Sequence, residues 1–212
     1  MMRISRLMVT AIPAMFLAGT LDRSEAASSA SKDWPCIQRE VPQISAGMVW
    51  TGDLVDANDK SWTKKQSVAN VVQKLVSRRS SVEDALKITD AFAASLKESR
   101  REDLQAVFVG ALQRINAERQ QIMGGIKRYA RRQAALADQI KAKSQEEAEL
   151  TRKTAKTEAE KQRLSQLSEE VVWDARVYEE REQSLTYVCE TPVLLEQRLF
   201  QIGRHISELI RK

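Results

Sequence analysis

The residues that could do chemistry are few and far apart. The chain carries two cysteines, Cys36 and Cys189, one histidine, His205, and a basic run of Arg119, Lys127, Arg128, Arg131 and Arg132 with no acidic residue between Arg119 and Ala137. Cysteines can join, exchange electrons or hold metal. Cys36 and Cys189 form no Cys-x-x-Cys and have no histidine beside them, so a structural disulfide is expected rather than thiol chemistry. Their one intramolecular pairing would close a loop of about 150 residues, worth roughly 5 kcal/mol in the chain-entropy account. A metal needs several ligands, and no histidine, cysteine or carboxylate cluster of suitable spacing accompanies His205. It reads as an exposed or helix-terminal histidine near the negative end of a helix dipole.

Other catalytic signatures are missing. There is no Gly-x-Ser-x-Gly elbow, no phosphate-cradling loop and no Gly-x-Gly-x-x-Gly. Carboxylate pairs such as Glu146-Glu147 and Glu179-Glu180 fall on polar helical stretches, without a pocket to set an acid against a base. The expectation is no enzyme, no metal and no cofactor. The basic run has two readings. It is a candidate contact for an anion or a protein partner, or it pairs with the acidic stretch Glu169 to Glu182 of the same chain. Nucleic acid is disfavoured, because aromatic residues are not interleaved with the basic ones. Contact with anionic lipid at a membrane surface stays open.

These groups must be held by helices. Residues 126 to 190 contain no glycine and no proline, a run far longer than an ordinary helix of ~10–14 residues. The composition, 42% hydrophobic but only 5% aromatic and 30% charged, suits long amphipathic helices better than a sandwich or barrel. Apolar residues follow heptad steps along Ile115, Ile122, Ile126, Tyr129, Leu136, Ile140 and Leu150, and again along Leu164, Leu167, Val171, Tyr178, Leu185 and Val188. Folding near residue 150 would place Ile115 against Leu185, Ile122 against Tyr178, Tyr129 against Val171 and Leu136 against Leu164. It would also lay the basic run beside the acidic one. A single helix that dimerises would use the same seam between chains. Polar seam positions, among them Gln133, Lys143 and Asp174, weaken either arrangement.

The expected fold class is all-α, a small helical head with a long antiparallel coiled-coil hairpin. Residues 1–26 read as a signal peptide, with basic Arg3 and Arg6, an apolar stretch from Leu7 to Leu21, and Ser24-Glu25-Ala26 before the cut. That stretch is too short, and too interrupted by Pro13, for a span of ~20 residues. An extended arm follows at 27–61, with Trp34 and Trp50 as packing anchors. The helical head covers 62–114, with a first helix from about Trp62 to Arg78, a capping box at Ser80 with Glu83, and another at Ser99 with Glu102. Gly124-Gly125 would kink the next helix or admit a close neighbour. The hairpin covers 115–188, and a C-terminal helix, opened by Thr191-Pro192, covers 189–212 and packs on the head.

The chain is therefore expected in the periplasm or secreted, after cleavage near Ala26. It would act as a non-enzymatic interaction protein, an assembly factor or adaptor for an envelope protein, with a homo-oligomer possible. In outline alone, and in no motif, it resembles periplasmic holdase chaperones with helical arms. That likeness implies general capture of unfolded clients. Binding of anionic lipid is the third expectation.

Overall fold

The computed structural model describes residues 33–97 and 100–212. The signal-like segment and Ser99 lie outside those residues. The described chain is all-α: α1 (Ala46–Val49), a 3-10 turn (Ser61–Lys64), α2 (Gln66–Leu75), α3 (Val82–Ser95), α4 (Arg100–Arg152) and α5 (Glu158–Arg211). The two long helices, of 53 and 54 residues, fold back on one another as an antiparallel hairpin.

Their lower halves build the head. Val68, Val72 and Leu75 of α2, Ala85 and Phe92 of α3, and Leu104, Val107, Phe108, Ala111, Leu112 and Ile115 of α4 close around Leu195, Leu199, Ile202 and Ile206 of α5. Each helix gives one apolar stripe at steps of three and four, so the core forms where the stripes meet. Trp50 from the arm stacks on Phe108 with ring centroids 4.3 Å apart, and its indole N–H donates to the Asp53 carbonyl at 2.7 Å. It is a packing anchor, as expected. Trp34 is only half-buried, its indole N–H donating to the Gln38 carbonyl at 2.7 Å. Gly203 makes the arm's crossing possible: a Cβ there would come within 2.5 Å of the Val49 carbonyl oxygen.

Several local expectations move. The first helix is shorter than 62–78, split into the 3-10 turn and α2. The N-cap of α3 is Ser81, whose hydroxyl accepts from the Asp84 N–H at 3.0 Å. Ser80 instead donates to the Ser77 carbonyl and accepts from Arg198. Helix α4 passes through Gly124-Gly125 unbroken, and a Cβ at either would meet only the Arg128 guanidinium. No new helix begins at Thr191-Pro192. α5 runs straight through, although proline has no N–H to give the Val188 carbonyl. Pro192 is buried, its own carbonyl accepts from Arg119 Nε at 3.1 Å, and Cys189 is tied down nearby. Packing there outweighs an interior-proline cost of about 3 kcal/mol.

The turn also lies further along than residue 150. Helix α4 persists to Arg152, and α5 starts from Thr157 through a full capping box: its hydroxyl accepts from the Glu160 N–H while the Glu160 carboxylate accepts from the Thr157 N–H. Lys156 Nζ donates to the Thr151 and Lys153 carbonyls, capping the free end of α4. The arms consequently pair in a different register. The Tyr129 hydroxyl donates to the Arg181 carbonyl at 2.9 Å rather than lying against Val171. Gln133 Nε2 donates to the Tyr178 carbonyl at 3.1 Å. Lys143 bridges Glu170 and Asp174, both at 2.8 Å, and Arg163 grips Glu146 through two bonds of 2.8 and 2.9 Å. Polar seam residues thus answer one another across the arms. These contacts raise the Lys143 ammonium pKa, through its bonds to Asp174 and Glu170, and lower that of the Glu146 carboxyl beside Arg163.

Candidate interaction surface

Five sequence-selected basic residues do not form one anion site. Arg119 is buried, donating to the Pro192 carbonyl, to the Val41 carbonyl at 3.1 Å and to Glu196 at 3.5 Å. Burial lowers the pKa of its guanidinium and Glu196 offsets this in part, so it stays charged. Lys127 pairs with Glu40, and Arg131 pairs with Asp33 at 2.8 Å. The expected pairing of this run with Glu169 to Glu182 is therefore overturned for these three. Their partners are the N-terminal arm and Glu196: the later turn carries the acidic stretch past Arg119, while Arg131, still level with that stretch between the Tyr129–Arg181 and Gln133–Tyr178 contacts, is claimed by Asp33 of the arm. Of the five, Arg128 and Arg132 face solvent without an ion pair among the described residues.

The polar groups of α4 form a ladder for the arm. Gln113 donates to the Ala57 and Asp59 carbonyls, both at 2.8 Å, and accepts from the Trp62 indole at 2.9 Å. Asn116 answers Ile44 twice, accepting its N–H at 2.9 Å and donating to its carbonyl at 2.8 Å. Arg119, Lys127 and Arg131 continue the series toward Val41, Glu40 and Asp33. The arm, having no secondary structure for most of its length, has its backbone satisfied by side chains instead. Cys36, between Glu40 and Asp33 on the arm, joins Cys189, with Cα atoms 5.6 Å apart, as expected.

One further residue, Arg198, escaped the sequence reading, and His205 is placed differently from that reading. Arg198 interrupts the apolar stripe of α5 and is buried; it donates to the Leu75 carbonyl at 2.7 Å, the Ser80 carbonyl at 2.9 Å and the Ser80 hydroxyl at 3.2 Å. Burial lowers the pKa of its guanidinium. A lone arginine inside a heptad stripe was the available signal. His205 does not sit free at a helix end: its Nε2 lies 2.7 Å from an Asp90 carboxylate oxygen, joining α5 to α3. Among the described residues no group of histidine, cysteine and carboxylate could hold a metal ion. Nor is any helix there long and apolar enough to cross a membrane.

Among the described residues, a row along the outer side of α5 is left unpaired. Trp173, Tyr187 and Leu194, at heptad intervals with Glu180, are 64%, 76% and 58% exposed, and Val172 flanks Trp173 in the open. These positions point away from the seam that holds Leu167 and Asp174 against α4. Ile37 and Val188, next to the two cysteines, extend the apolar exposure at the base of the hairpin. Exposed apolar residues scattered singly need no cause, but a row at coiled-coil spacing is a recognition feature. Comparison with protein-family models, curated proteins and solved structures returns no match for this chain.

Proposed function

We propose that this is an exported, periplasmic, non-enzymatic coiled-coil interaction protein that serves as an assembly factor or adaptor for a protein of the cell envelope. The observation that carries the reading is the outward heptad row of α5, with Trp173, Tyr187 and Leu194 exposed at coiled-coil spacing. The signal-like first 26 residues and the Cys36–Cys189 bond agree with an oxidising compartment. Arg128 and Arg132 on the outer side of α4 supply a second, basic contact.

In this reading the head is a mount, the hairpin is the reaching part, and partner choice lies in the two outer flanks. The test is a photo-crosslinking residue placed at Trp173 or at Arg132 in the native cell. One defined envelope protein captured at either position is the expected result. A ladder of many unrelated adducts would replace the adaptor with a general holdase. No adduct to any other protein would reject the reading.

A further inference from the structure

The outward row of α5 is complementary to itself, and we infer that a second copy of this chain occupies it, lying antiparallel about a two-fold axis at Gln183. The inference rests on α5's outer flank being a recognition surface and names one occupant of it. The row reads Glu169, Trp173, Arg176, Glu180, Gln183, Tyr187, Glu190, Leu194 and Gln197, in alternating steps of four and three. Reversed about Gln183, it sets Trp173, with Val172 beside it, against Leu194 of the second copy. Arg176 meets Glu190, and Glu180 meets Tyr187, whose O–H donates to the carboxylate. Two-fold symmetry makes each match twice, as an isologous interface requires.

Charge selects this orientation. In a parallel, in-register pair Arg176 would face Arg176, Glu180 would face Glu180 and Glu190 would face Glu190, all repulsive. Within one copy Glu190 has no ion pair among the described residues, and Arg176 reaches only Glu180 on its own helix, at 3.0 Å. Antiparallel pairing gives both a partner of opposite sign across the contact. The row from 169 to 197 lies along about 42 Å of helix at 1.5 Å per residue. Its interleaved charges make it unfit for a bilayer interior but ordinary for a helix–helix contact. The α4 flank with Arg128 and Arg132 stays free for a different partner.

Sedimentation equilibrium of the purified protein should show a dimer. Trp173→Glu or Leu194→Glu should weaken it by roughly tenfold or more, as charging an interface centre does. Arg176→Glu and Glu190→Arg should each weaken it, and the double reversal should restore it. Gln183→Cys should link to its own counterpart on oxidation, whereas Ser165→Cys, on the same side but far from the axis, should not. Unchanged circular dichroism would confirm that each variant folds. A monomer at every soluble concentration, no rescue by the double reversal, or equal linking at positions 165 and 183 would overturn the second copy. A monomer that still gives one defined adduct at Trp173 in cells would overturn the self-pairing alone and leave the adaptor reading intact.

Discussion

Arg119 and Val41 lie 78 residues apart in the chain, and the fold brings the Arg119 guanidinium within 3.1 Å of the Val41 carbonyl. The same side chain takes the Pro192 carbonyl at 3.1 Å. One buried cation therefore joins the arm, α4 and α5 at the point where the head becomes the hairpin. Replacing it leaves the buried Pro192 carbonyl, the half-buried Val41 carbonyl and Glu196 without their donor.

Arg119→Met is expected to destabilise the protein by about 3 kcal/mol, the cost of stranding these acceptors and the carboxylate. Arg131→Met removes an exposed pair with Asp33 and is expected to cost less than about 1 kcal/mol. Urea denaturation of the two variants checks the contrast. Equal effects would mean that Arg119 is one more surface charge.

The arm register is directly measurable. With Tyr129→Cys and Arg181→Cys in one chain, a short thiol crosslinker should join the arms efficiently. With Tyr129→Cys and Val171→Cys it should fail, because Val171 is about 15 Å further toward the tip at 1.5 Å per residue. Efficient linking of the second pair would restore a turn near Leu150.

The tip should respond to acid. The Lys153 ammonium, at 2.5 Å, and the Thr157 backbone N–H hold the Glu160 carboxyl down at about 2, against an ordinary value of 4.5. The unfolded chain thus takes up this proton first. The contribution of Glu160 to the tip is complete above pH 4.5 and is lost as pH falls from there through about 2. Amide exchange near Thr157 should quicken across that window. In Glu160→Gln it should already be faster at neutral pH and lack that response to acid.

Gly203→Ala should destabilise the head although alanine is the better helix former. Its Cβ would press on the Val49 carbonyl oxygen at 2.5 Å and on the Phe108 ring at 3.0 Å. Overpacking of this kind costs about 1–3 kcal/mol. Gly124→Ala, which meets only the mobile end of Arg128 at 3.4 Å, should instead leave stability unchanged or raise it by up to about 1 kcal/mol. Thermal melts of the two variants would separate these cases, and a stabilised Gly203→Ala would contradict the arm's position over α5.

Periodicity made the helices, the head core and the hairpin readable, and counting made the disulfide readable. The register was not, because heptad seams repeat: sliding one arm past the other by whole turns still matches apolar to apolar. The device that breaks this degeneracy is the turn, and it was present as Thr157-x-x-Glu160. Thr191-Pro192 shows the opposite problem. It has the composition of a helix start, but Pro192 is buried against α4 and its carbonyl is claimed by Arg119, so tertiary contacts override a local stop. The ladder of Gln113, Asn116 and Arg119 was invisible for a related reason. Polar residues on a helix look solvated until a distant, largely irregular stretch of chain is laid across them. The outward row of α5 was visible only by subtraction, once the seam had used the other face.

Helix α5 belongs to both parts of the molecule. Over its 54 residues, about 80 Å at 1.5 Å per residue, it serves as a wall of the head's core and as one arm of the hairpin. There is no joint between the two, so force applied near Glu158 is delivered axially to Leu199 and Ile206. The protein would behave as a spoke fixed in its hub: whatever tugs at the far end also strains the socket.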